Sequence, residues 1–327
     1  MKLTNKKKQK SKKWNILFFA LFLLFVLIFF LFVDKKQNLI QTNSFDKLIT
    51  YTEKSLFRPL KKNQSEQLKV TANNSLTVMV NLKTGQEKIF LEQNADVSSP
   101  IASITKLMTA IVALENYDLN KKMVISAEEI NAIAAKGGNT KALKNATTKD
   151  LLHILLIESN NTVADTLANQ MKSKKFVDLM NQKAQTLGLK NTIFYNPSGL
   201  DESELITNQS SANDLKKIVI YIMKQHSVIA QICAISEIDY YINSVFYKKL
   251  ENTNILLKEN SNYLWGKTGY TEEANGCIIL VLKKPSLELS ENEDQYLINI
   301  IMGAQTREDR FIEARKLENW ITNSFIW

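Results

Sequence analysis

Strand-like segments lie only at the two ends of residues 71–327, and the middle reads as helix. Residues 76–82 and 88–91 have the composition of two strands, joined by the turn Lys83-Thr84-Gly85-Gln86. Residues 117–240 carry helical patterns at 127–135, 148–157, 162–171, 174–187 and 211–224, with no strong strand. Gly137-Gly138 and Asn196-Pro197-Ser198-Gly199 break that run. Strand patterns return at 263–267, 276–283 and 296–303, and a last helix spans about 309–322. A sheet needs a partner layer for its apolar face. The spacing therefore predicts an α/β domain in which both ends of the region share one sheet and a helical subdomain is inserted between them.

Ahead of that region the chain has a different character. Lys2, Lys6, Lys7, Lys8, Lys10, Lys12 and Lys13 form a basic tail at residues 1–13 without an acid among them. Subtracting these seven charges from the net +9 leaves +2 for the rest, so the basicity is a tail and not a nucleic-acid-binding face. An unbroken apolar run at 16–33 follows, which as a helix spans about 27 Å, close to the thickness of a bilayer core. The lysines before it place the N-terminus in the cytoplasm. Asp34-Lys35-Lys36 comes next, with no small-x-small cleavage site. Residues 14–33 are expected to be an uncleaved transmembrane signal anchor, 34–70 a polar stalk, and 71–327 an extracytoplasmic catalytic domain. A cleaved signal peptide is the alternative for the apolar run.

Three short motifs carry chemistry. Ser103-Ile104-Thr105-Lys106 opens an apolar helix expected to run to about Asn116, and residues three apart share a face. A helix start disfavours a cation, and apolar neighbours do the same, so Lys106 is driven toward its neutral, basic form. An amine beside Ser103 could then activate the hydroxyl without histidine. The plainer reading is an N-cap serine and a lysine reaching to water, and Ser44-Phe45-Asp46-Lys47 fits the same pattern. Ser159-Asn160-Asn161 sits at a helix junction, where a hydroxyl could shuttle a proton and the Asn161 amide could hold a carbonyl. Ser211-Ala212-Asn213 and Ser290-Glu291-Asn292 match it, and a helix cap explains any of them. Lys267-Thr268-Gly269 ends a strand; it offers a cation, a hydroxyl and a glycine that a ligand can approach. An edge strand there could also add an extended peptide as a further strand. A solvated strand end is the alternative, as at Lys83-Thr84-Gly85.

Ser-x-x-Lys, Ser-x-Asn and Lys-Thr-Gly occur here in one order and in fitting elements, and in that respect the chain resembles the serine D-alanyl-D-alanine carboxypeptidases, the low-molecular-mass penicillin-binding proteins. The resemblance extends over residues 71–325, and includes the segments 100–115, 151–168, 188–200 and 302–320. It implies a β-lactamase/transpeptidase-like antiparallel sheet and acyl transfer without metal or cofactor. By that resemblance Ser103 would attack the bond between two D-alanines of a peptidoglycan pentapeptide stem. Lys106 would be the general base and Ser159 would relay a proton to the leaving group. Asn161 would position the substrate, Lys267 would keep the site electropositive, and Thr268, with Arg310, would take the terminal carboxylate. Gly269 would admit the substrate, and the N–H groups of Ser103 and Tyr270 would form the oxyanion hole. β-Lactams would acylate Ser103. Three positions depart from the family pattern: Gly266 directly precedes Lys267, Thr162 stands where an aspartate is common, and Thr253 replaces an arginine between two asparagines.

Rival readings are a D,D-endopeptidase cutting cross-links with the same residues and a catalytically weak, membrane-bound cell-wall-binding protein. No Glu-x-x-Leu-Asn motif follows Ser159, which disfavours a β-lactamase. His153 and His226 are expected to be structural, and Cys233 and Cys277 buried free thiols, an exported disulfide being the alternative.

Overall fold

The computed structural model describes residues 60–61, 68–283 and 294–326. The basic tail, the apolar run, most of the stalk, and the motifs at Ser44 and Ser290 lie outside the described residues. Among the described residues no helix is long and apolar enough to cross a membrane.

The central sheet is built as the sequence pattern requires. Strands β1 (Asn74–Asn81) and β2 (Glu87–Gln93) come from one end of the domain. Strands β3 (Tyr263–Thr271), β4 (Asn275–Lys283) and β5 (Gln295–Ala304) come from the other. They assemble in the order β2-β1-β5-β4-β3, with every neighbouring pair antiparallel. The two chain ends meet at β1 and β5, where Leu76 faces Ile300 and Val78 faces Ile298. All but one of the β1 residues are buried, so this strand is covered on both faces. The C-terminal helix Asp309–Ser324 packs on β4 and β5, and helix Ala212–Gln225 packs on β1 and β5.

The inserted region is helical, beginning with α1 (Lys106–Asn116). Helices Ala127–Ala134 and Thr148–Ile157 each open on a capping box, Ser126 with Glu129 and Thr147 with Asp150. Helix Thr148–Ile157 forms the centre of the subdomain, with Leu151, Leu152, Ile154, Leu155 and Ile157 fully buried.

Four features differ from the sequence reading. Ser103 lies in a 3₁₀ turn, Ala102–Thr105, and the α-helix starts only at Lys106. Strand β3 continues four residues past Lys267, to Thr271. A hairpin, Glu237–Ile242 with Val245–Glu251, occupies a stretch to which no element was assigned. Finally, Leu60–Lys61, inside the expected stalk, pairs with Phe325–Ile326 and so extends the folded domain upstream of residue 71. Cys233 and Cys277 are buried and unbridged.

Candidate active site

The turn that carries Ser103 is held in a conformation that few L-residues adopt. Ala102 has φ 46°, and Gly199, with φ 82°, packs against its carbonyl so closely that a Cβ on the glycine would lie 2.0 Å from Ala102 O. The tight 3₁₀ geometry eclipses residues three apart. Lys106 Nζ consequently stands 2.7 Å from Ser103 Oγ. Its other partners are Asn161 Oδ1 at 2.7 Å and the Ser198 carbonyl at 2.5 Å. An ammonium would donate to all three; a neutral amine donates two hydrogens and accepts one. Asn161 Oδ1 and Ser198 O can only accept, whereas Ser103 has a proton to give. The three-partner set thus fits a neutral Lys106 drawing on the Ser103 hydroxyl. Full burial, followed by the charge of Lys267, holds the Lys106 pKa well below the ordinary lysine value, with Asp165 pulling the other way.

Ser159 occupies the junction between helix Thr148–Ile157 and helix Asn161–Asn169. It has φ 57°, a second left-handed non-glycine residue at the site. Asn160, not Ser159, caps the following helix, accepting from Val163 N at 3.1 Å. Ser159 is thereby left to face the cleft, where its Oγ accepts from Lys267 Nζ at 2.8 Å. Lys267 also donates to the Thr268 carbonyl at 3.0 Å and is 1% exposed. Burial pushes its pKa down to about 7; the nearby Cys233 thiol opposes that shift and Arg310 adds to it. No carboxylate among the described residues pairs with it.

Strand β3 is an edge strand, and it passes directly against the Ser103 turn. A Cβ at Gly269 would lie 2.8 Å from Ile101 O and 3.1 Å from Ser103 N, so only glycine lets strand and turn approach this closely. Gly266 is constrained in the same way, by Ile279 O at 2.4 Å from a would-be Cβ. Thr268 Oγ1 is 2.6 Å from Thr253 Oγ1. Arg310, 5% exposed, donates from Nη1 to the Gly269 carbonyl at 2.7 Å, and its pKa is lowered to about 10 by burial first and Arg307 second.

These elements enclose a cleft of about 440 Å³. Ser103, Ser159, Asn161, Thr268, Gly269, Tyr270 and Arg310 line it, while Lys106 and Lys267 sit buried behind their serines. All nine residues singled out from sequence therefore converge on one place. The competing matches among the described residues do not. Asn81 Oδ1 accepts from Lys83 N and Thr84 N, which makes Lys83-Thr84-Gly85 a turn. Ser211 Oγ accepts from Asp214 N and caps a helix. His153 Nδ1 donates to the Lys149 carbonyl, and His226 meets Glu115; neither lines the cleft. The Ser198 carbonyl, Thr253 as the partner of Thr268, and Arg307 were not assigned roles from sequence. For a main-chain carbonyl there was no signal to read.

The family described as D-alanyl-D-alanine carboxypeptidase matches residues 61–306. A D-alanyl-D-alanine endopeptidase of Escherichia coli K12 is 30% identical over 251 residues, covering 75% of this chain and 76% of the relative. The D-alanyl-D-alanine carboxypeptidase DacF of Bacillus subtilis is 31% identical over 248 residues, 73% of this chain and 60% of the relative. Penicillin-binding protein D2 of Listeria monocytogenes, solved in an ampicillin-bound form, superposes with a TM-score of 0.64 at 27% identity, covering 78% of this chain and 98% of that one.

Proposed function

We propose that this chain, which belongs to the D-alanyl-D-alanine carboxypeptidase family, removes the terminal D-alanine from peptidoglycan stem peptides through an acyl-enzyme on Ser103. The observation that carries this reading is the fully buried Lys106 amine, 2.7 Å from the Ser103 hydroxyl, with two further partners that can only accept. Lys106 takes the Ser103 proton as Oγ attacks the penultimate D-alanine carbonyl. The N–H groups of Ser103 and Tyr270 stabilise the developing oxyanion. Ser159, hydrogen-bonded to Lys267, passes a proton to the departing amine. Thr268 takes the terminal carboxylate, and Arg310, bound to the Gly269 carbonyl, braces the strand beneath it. Water then releases the shortened stem and regenerates Ser103. β-Lactams enter the same path as substrate mimics, and the ampicillin-bound Listeria protein supports this.

The second reading is cleavage of D,D cross-links by the same groups, favoured by the endopeptidase name of the Escherichia coli relative. Incubation with a pentapeptide stem and, separately, with a cross-linked dimer distinguishes the two. The leading reading expects free D-alanine from the stem at a higher kcat/KM than dimer cleavage. Dimer cleavage without free D-alanine would assign the endopeptidase instead.

The chain is further proposed to sit on a membrane as a single-pass protein, N-terminus in the cytoplasm and catalytic domain outside, tethered by residues 14–33. Support comes from the apolar run 16–33 and the seven lysines before it. Alkaline carbonate extraction is expected to leave the full-length protein in the membrane pellet. Its appearance in the supernatant at full length would remove the anchor.

A further inference from the structure

Arg307 is a cation of the cleft with no ion-pair partner among the described residues; of the two acids that line the same cleft, Glu158 is paired with Lys248 and Glu308 is the chain neighbour of Arg307. It lines the cavity and lies over the Tyr270 ring, its guanidinium carbon 4.8 Å from the ring centroid. Among the described residues no carboxylate pairs with it and no acceptor takes its hydrogens. Its charge is felt by Arg310, whose pKa it lowers. The nearby acid, Glu308, precedes helix Asp309–Ser324 and acts in the opposite sense on Arg310. Arg310 is already committed to the Gly269 carbonyl. The donors of Arg307 therefore remain open toward the cleft, while the ring beneath fixes where the guanidinium plane can lie.

The edge of β3 gives a direction to what binds there. In the proposed reaction the terminal carboxylate rests at Thr268 and the attacked carbonyl near Ser103 and Gly269. A peptide pairing with β3 in that register must run antiparallel to it. Its earlier residues then pass Tyr270, the side chain against which Arg307 stacks.

We propose that Arg307 is a specificity residue that binds a second carboxylate of the substrate, carried by a stem residue on the acyl side of the cleaved bond. The chemical class favoured is a stem peptide whose third residue bears a free carboxylate on its side chain, over one ending there in an amine alone. A planar, bidentate donor with no ion-pair partner among the described residues is suited to that group and gains little from a neutral or cationic side chain. The inference rests on the acyl-transfer reading above.

The test uses the full-length chain in detergent with two pentapeptide stems identical except at the third residue, diaminopimelate in one and lysine in the other. The wild type is expected to release D-alanine from the diaminopimelate peptide with a kcat/KM about tenfold higher, the size of one charge-assisted contact. Arg307→Gln is expected to bring the ratio near one, and Arg307→Lys to retain part of it. A wild-type ratio near one overturns the proposal, as does an unchanged ratio in Arg307→Gln. Wild-type protein that releases D-alanine equally from both peptides sinks this inference alone. Protein that releases none from either takes the parent reading down with it. Arg307→Gln is first checked by penicillin labelling and thermal melting; should it fail to fold, the Arg307→Lys and wild-type ratios still decide.

Discussion

Fluorescent penicillin is expected to label the wild-type chain covalently, to leave Ser103→Ala unlabelled, and to acylate Lys106→Met about 10³-fold more slowly. The first loss is absolute because the acyl bond forms on Ser103 Oγ itself, the hydroxyl that lies 2.7 Å from the Lys106 amine. Ser159 is bonded instead to Lys267, whose Nζ donates both to it and to the Thr268 carbonyl. The second loss is the usual worth of a positioned general base. Methionine nearly preserves the volume of the buried lysine stem, so the packing around α1 survives and the fall reports on the amine. Near-ultraviolet circular dichroism checks that point, and stopped-flow acylation gives the rate. Wild-type labelling rates in Lys106→Met would remove the lysine from its role; labelling that persists in Ser103→Ala would remove the nucleophile.

How much of this site could be read from sequence depends on what fixes each part. The pairing of Ser103 with Lys106 is local, three residues along one turn, so spacing offered it, although Ser44 and Lys47 share that spacing and the order of the three motifs was needed to single it out. The type of turn is not local. Ala102 is held at φ 46° by Gly199, almost a hundred residues away, and that contact makes the segment 3₁₀ where apolar periodicity reads as α. Lys267-Thr268-Gly269 and Lys83-Thr84-Gly85 are identical triplets with opposite fates. One is buried in an edge strand against the nucleophile turn; the other is an exposed turn closed by Asn81. Their place in the order of motifs distinguishes them along the chain, and tertiary burial separates them in the fold. The hairpin 237–251 was missed because Asp239, Lys248 and Lys249 interrupt its alternation, and because its connection, Asn243-Ser244, reaches φ 48° and 63° without the glycine that usually marks such a turn. Arg307 looked like any loop charge until the Tyr270 ring and the cleft were placed beside it. The sheet was legible throughout, since strands at both ends of the domain had no other partner for their apolar faces.

Lys267→Met is expected to lower acylation by about 10² to 10³-fold and yet to raise the melting temperature, most strongly at acid pH. The two effects have one origin. Lys267 is fully buried among neutral partners, Ser159 Oγ and the Thr268 carbonyl, and no carboxylate among the described residues compensates its charge. Burial lowers its pKa from 10.5 to about 7. Below pH 7 the lysine is protonated both folded and unfolded, and the desolvation cost of the cation is fully present. Between about 7 and 10.5 the unfolded chain holds a proton that the folded chain has shed, so stability rises with pH across that window. Methionine removes the cost without leaving a buried counter-ion behind, unlike the breaking of an ion pair. A shift of this size corresponds to a few kcal/mol at pH 6, against which the lost hydrogen bonds of Ser159 and Thr268 count about 1–3 kcal/mol. The net gain is therefore about 1–3 kcal/mol at pH 6 and shrinks toward pH 10. Calorimetric melts of the ligand-free protein at both pH values, beside stopped-flow acylation, measure it. A melting temperature that falls at pH 6, or a gain that does not depend on pH, would mean that the charge of Lys267 is balanced within the fold. Lys267 would then not be an uncompensated cation waiting for the substrate carboxylate.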